Sequence, residues 1–269
     1  MTPLLMLFGA LGVADLVQAL PGPHARVLRL VIASLAAGAW AIFGVLASGY
    51  EWTAGLAVLA GMAAACLGAL WLVAARWALD ASVESVHEMS STERFNRRAA
   101  WVLWAFALVA IVIVGTSSLW PERTDNEIRS WLEGLPYGGE NKSSDDLLSV
   151  AAAILFLLES SNTVVRLVLR SVSIGSRQDD SPDDSIKGGR LIGPIERVLI
   201  FSLALAGEPT AAALIVSAKG LLRYPEIGKA AAADKGEDRP TPAVLSEYLV
   251  LGSLVSWASA LSLILWMPH

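Results

Sequence analysis

Lysine and arginine fall on alternate gaps between long apolar runs, and a chain with this pattern has few folds open to it. The first gap holds Arg26 and Arg29, and the second, Gly49 to Trp52, holds neither residue type. The third has Arg76, Arg94, Arg97 and Arg98, whereas the fourth, Pro121 to Asp146, has only Arg123, Arg129 and Lys142. Arg166, Arg170, Arg177, Lys187, Arg190 and Arg197 ring the fifth, the sixth is bare, and the seventh carries Lys219, Arg223, Lys229, Lys235 and Arg239. Basic residues are held on the cytoplasmic side during insertion into a membrane. The expectation is an all-α, polytopic membrane protein of about eight transmembrane helices with both termini outside.

The expected spans are residues 2–20, 27–48, 53–75, 101–120, 147–169, 191–206, 209–222 and 243–266. A hydrocarbon core of about 30 Å needs about 20 helical residues. The sixth and seventh spans are short and are joined only by Gly207, Glu208 and Pro209, which reads as a tight helical hairpin. The alternative is a re-entrant pair, whose ends must be buried in protein or line a wet cavity. Trp52, Trp77, Trp101, Trp120 and Trp266 fall at span ends, where an amphipathic ring prefers the interface. The first run has no basic residues ahead of it and is long for a signal peptide, so it reads as a span. One transmembrane domain over 1–269 is expected. Its parts are helices one to four in 1–120, an acidic outer loop in 121–146, and helices five to eight with a charged cytoplasmic cluster in 147–269.

Composition narrows the partners. With 55% hydrophobic and 17% charged residues and a mean hydropathy of +0.56, the chain lacks the polar surface of a soluble domain. The net charge of −5 is concentrated in the outer loop, and topology accounts for the basic residues, so nothing indicates nucleic acid. The expected partners are the lipid bilayer and an anionic or phosphate-bearing ligand, with oligomerisation left open. Cys66 is the single cysteine, which excludes an intrachain disulfide, and its place in an apolar run suggests a small packing residue. Ala60, Ala64 and Gly68 recur every four positions, a spacing suited to close helix approach. Glu127 to Glu133 reads as a short amphipathic helix at the outer interface, and Asp80 to Arg98 as a cytoplasmic surface helix or helix extension.

The second half carries the ionisable groups. Glu159, Asn162, Arg166 and Arg170 follow at intervals of three and four, so one polar stripe is expected to run down the fifth span. Glu159 falls near mid-span, where a carboxylate costs about 2.5–3.5 kcal/mol unless paired, protonated or wet. Arg190, Glu196, Arg197, Lys219, Arg223, Glu226 and Glu247 gather at the inner ends of spans six to eight. Arg197 and Lys219 lie within apolar runs, from which long stems can snorkel to the interface. Such a set either neutralises itself as an ion-pair network or leaves positive charge for a phosphate or carboxylate.

Three stretches within this set carry a resemblance. They are Gly189-Arg-Leu-Ile-Gly-Pro-Ile-Glu-Arg197, then Ala218-Lys219 with Arg223 and Glu226, then Ser246-Glu-Tyr-Leu-Val-Leu-Gly-Ser-Leu-Val-Ser256. Together they resemble the carboxy-terminal part of an uncharacterised bacterial family of multi-pass membrane proteins, a domain of unknown function. The likeness covers the C-terminal region only and departs at Glu208, where the family pattern has Gln. It implies a bacterial plasma-membrane location and a shared core centred on Glu196, Arg197, Lys219, Arg223, Glu226 and Glu247. It implies no reaction.

Enzyme signatures are sparse. His24, His87 and His269 are the only histidines and suggest neither a metal cage nor a Ser–His dyad, so no cofactor or metal is expected. Asp179-Asp-Ser-Pro-Asp-Asp184 has carboxylates suited to magnesium, but a Ser/Pro-containing loop does not aim them at one ion. Ala230 to Pro240 reads as a linker. Three functions fit the sequence. The first is a protein that binds or moves an anionic solute or lipid head group, with Glu159 as a coupling carboxylate. The second is a non-catalytic membrane partner held together by an ion network. The third is a membrane enzyme acting on a phosphate-bearing lipid, with Arg197, Lys219 and Arg223 on the phosphate and Glu196 or Glu247 as base.

Overall fold

A computed structural model describes residues 3–20, 26–49, 54–80, 90–116, 120, 125–134, 143–172, 189–218 and 242–267. Among them the protein is all-helical, with no strand. The helices are α1 (Pro3–Ala19), α2 (Arg26–Ala47), α3 (Ala54–Asp80), α4 (Ser90–Gly115), α5 (Glu127–Glu133), α6 (Ser144–Leu155), α7 (Ser161–Ser171), α8 (Gly189–Leu205), α9 (Pro209–Ala218) and α10 (Pro242–Ile264). A π turn, Phe156–Ser160, joins α6 to α7. Four segments, Arg26–Ala47, Gly55–Leu79, Arg97–Gly115 and Ser144–Ser171, are long and apolar enough to cross a membrane. Lys219, Arg223, Glu226, the Asp179–Asp184 run and the Ala230–Pro240 stretch lie outside the described residues, as do residues 81–89 of the expected Asp80–Arg98 helix, whose later part begins α4.

The apolar faces of these helices point the opposite way from those of a soluble protein. On α4, Trp101, Trp104, Leu108 and Ile111 follow at three- and four-residue steps and are all exposed. On α3, Leu59, Met62, Leu70 and Val73 form a similar exposed stripe. Cys66 belongs to that stripe: it is exposed and not the packing residue expected from its apolar run. A continuous exposed apolar face is costly in water and favourable against lipid.

The chain divides into two compact units. Met1–Arg76, Trp104–Ser160 and Leu265–His269 form the first, and Trp77–Leu103 with Ser161–Ile264 form the second. In the first unit, α1 is apolar over most of its length and largely buried, with Asp15 and Gln18 as its polar residues. It packs against α2, α6 and the π turn. Phe8 meets Phe156 with ring centroids 4.7 Å apart, and Phe106 stands 5.1 Å from Trp71. Gly12 permits a close approach of main chains, since a Cβ there would run into the backbone of Leu155 and Phe156.

Helices α2 and α3 meet through small residues. A Cβ on Gly38 would lie 2.9 Å from the Gly61 carbonyl and 3.2 Å from Ala65 Cβ, and one on Gly68, a member of the expected set, would lie 3.2 Å from Ala37 Cβ. Gly61 and Ala65 join Gly68 in this close approach. Helix α5 is capped by Asn126, whose Oδ1 accepts from the Arg129 N–H at 2.9 Å while its Nδ2 donates to the Leu46 carbonyl at 2.7 Å. At the start of α6, Asp146 accepts from the Ser143 backbone N–H at 2.8 Å.

In the second unit, α10 packs against both α7 and α8. Gly252 faces Leu169, whose methyl carbon would lie 3.4 Å from an added Cβ. Arg98 stacks on Trp77 with its guanidinium carbon 4.6 Å from the ring centroid.

Candidate functional site

The strongest concentration of buried polar chemistry in the second unit begins on α8. This helix contains Pro194, which has no N–H to donate back to the Arg190 carbonyl. One turn beyond Gly193 comes Arg197, and the lack of a side chain at Gly193 leaves room for it. A Cβ at Gly193 would sit 3.4 Å from Arg197 Nη2. Arg197 is 1% exposed. The expectation that it snorkels to the interface is therefore corrected: its guanidinium turns inward because protein oxygens meet it there. Nε donates to the Gly193 carbonyl at 3.2 Å, Nη1 donates to Ser161 Oγ at 2.9 Å, and Nη2 donates to Asn162 Oδ1.

The hydroxyls extend this contact to α10. Ser161 Oγ lies 2.7 Å from Ser259 Oγ, and Ser259 donates its one proton to the Ser256 carbonyl at 2.7 Å. Ser259 must then accept from Ser161, so the bonds run in one direction from Arg197 through Ser161 and Ser259 to Ser256. Glu196, the neighbour of Arg197, is also buried and accepts from Trp257 Nε1 at 3.0 Å. Two consecutive charged residues of α8 are thereby tied to α7 and α10. Charge-assisted bonds of this kind are shorter and stronger than neutral ones and fix side-chain direction.

The remaining expected residues distribute as follows. Asn162 is on the Arg197 guanidinium, whereas Arg166 is exposed and Arg170 donates to the Leu79 carbonyl. Arg190 is the second residue of α8. Glu247 is exposed on α10. Glu159 is half-buried on the π turn of the first unit, and among the described residues it forms no hydrogen bond or ion pair. Asn162, Arg166 and Arg170 keep their four-residue steps on α7, and Glu159 precedes that helix on the π turn.

The first unit has a polar cluster of its own. Asp15, one turn before the end of α1, accepts from Trp71 Nε1 at 3.0 Å and from Ser160 Oγ, both on Oδ2. Arg76 Nη2 donates to Gln18 Oε1 one turn further along α1. Neither Trp71, Trp257 nor the serines stood out in the sequence. The only hint was the run of polar residues Glu159-Ser-Ser-Asn162 inside an apolar span. Among the described residues no three His, Cys, Asp or Glu side chains gather as a metal site. No family model, curated protein or solved structure matches the chain.

Proposed function

We propose that the chain is an eight-span protein of a bacterial plasma membrane, with both termini outside, that binds or moves an anionic solute or lipid head group on its cytoplasmic side. The observation that carries this reading is Arg197, a full charge fixed inside an apolar helix by oxygens from α7 and α8. Buried charges are weak contributors to stability, and well-packed apolar residues of similar volume often do as well or better. A chain that keeps one in a membrane bundle is better explained by recognition of charge. Arg190 lies on the same helix, seven positions earlier, and Arg offers a planar fork suited to phosphate or carboxylate. Lys219 and Arg223 belong to the same proposed set by sequence, and the likeness to the uncharacterised bacterial family rests on these same charges.

A second reading is favoured by a different observation. The bonds from Glu196 to Trp257 and from Arg197 through Ser161 to Ser259 link three helices, as a structural lock in a non-catalytic membrane partner does. The two readings separate in a thermal-stability screen of detergent-purified protein against phospholipids, isoprenoid phosphates, nucleotides and simple anions. Anion recognition predicts that one anionic class raises the melting temperature of the parent by several degrees and that Arg190→Gln loses the shift. No shift with any ligand, together with early melting of Arg197→Lys, contradicts it and leaves the lock.

A further inference from the structure

Asp15 lies outside the Arg197 network and has a chemistry of its own. It is 9% exposed, and Ser160 and Trp71, its two partners, are also buried. An ionised carboxylate offers about four acceptor positions. Here two donors reach it, both at Oδ2, and among the described residues no third donor and no cation within ion-pair distance accompanies them. The charged groups that act on it are Glu159 from the π turn and Arg76 from α3. Helix α2 brings only Arg26 and Arg29 at its start, and α6 only Asp145 and Asp146 in its first turn. Leaving a bare carboxylate in such surroundings is expensive. A proton is the cheapest counter-charge available.

We propose that Asp15 is a proton-binding site, a buried carboxylic acid that takes up and releases one proton with Ser160 and Trp71 as its fixed partners. The balance is simple: the acid O–H bond breaks on release, the electron pair stays on the carboxylate, and the proton leaves past Gln18 and Arg76 at the end of α1. Ser160 suits both states, because a hydroxyl can donate to the carboxylate and can accept from the acid. Trp71 can only donate, and its ring is held by Phe106. The π turn, which ends at Ser160, delivers that hydroxyl to Asp15; such turns recur at functional sites. The inference rests on the membrane-spanning reading alone and stands whether or not Arg197 binds an anion.

Infrared difference spectroscopy on the full chain in lipid, titrated with acid and base, reads the proton directly. We expect one carboxylic-acid carbonyl band that exchanges slowly in deuterium oxide and shifts when aspartate, not glutamate, carries a carbon-13 carboxyl. It disappears in Asp15→Asn and is displaced in Ser160→Ala. The label separates aspartate from glutamate, and displacement of the band in Ser160→Ala with no change in Asp145→Asn separates Asp15 from the other buried aspartate, so the test holds even if Asp15→Asn fails to fold. A slow band that follows glutamate label places the proton on a glutamate and overturns the proposal. So does a band unchanged in Asp15→Asn, or the absence of any slow acid band across the titration.

Discussion

At the scale of single residues, contacts made across helices decide the outcome, and these are the contacts a sequence hides. Arg197 lies in an apolar run, and its inward turn depends on Ser161 and Asn162, 36 and 35 positions away. Glycines give a sharper case. Gly12 and Gly115 look alike in sequence, yet an added Cβ meets main chain at the first and nothing within 4 Å at the second. Main chain cannot yield as a side chain does. Gly12→Ala is expected to destabilise the protein by about 1–3 kcal/mol, the usual range for overpacking. Gly115→Ala should stay within about 0.5 kcal/mol of the parent. Thermal melts of the two purified variants make the comparison, and equal stabilities would contradict the close packing of α1 on the α6–π-turn junction.

At the scale of elements, the helices themselves were legible and their orientations were not. Apolar length placed α2, α3 and the Ser144–Ser171 segment close to their expected bounds. The break at Phe156–Ser160 was invisible, because Phe-Leu-Leu-Glu-Ser is as compatible with an α-helix as with a π turn. The exposed face of α4 yields a test of the membrane reading. Lysine at Leu108, in the middle of that face, should oppose insertion by about 2.5–3.5 kcal/mol. Lysine at Thr116, beyond the end of the helix, should be tolerated. Quantifying the membrane-inserted fraction of Leu108→Lys and Thr116→Lys checks this, and equal insertion would argue against a lipid-facing α4.

At the scale of the whole molecule, alternating basic gaps carry topological information that composition alone lacks, since 55% hydrophobic residues would also suit a different number of spans. The site was partly legible: Glu196, Arg197 and Asn162 stood out as charged or amide groups in apolar runs. Trp257, Ser259, Trp71 and Ser160 did not, because their roles arise only from helix packing. The proposed cytoplasmic anion site depends on the alternation being real. Single cysteines introduced into a Cys66→Ser background test it most directly, with a membrane-impermeant maleimide applied to intact and to lysed cells. Tyr50→Cys, Thr124→Cys and Glu208→Cys are predicted to react in intact cells, and Ser85→Cys, Ser181→Cys and Ala232→Cys only after lysis. Protection of Glu208→Cys together with Ser181→Cys and Ala232→Cys would contradict eight spans, because the segments on either side of Glu208 would then enter and leave the membrane on one face.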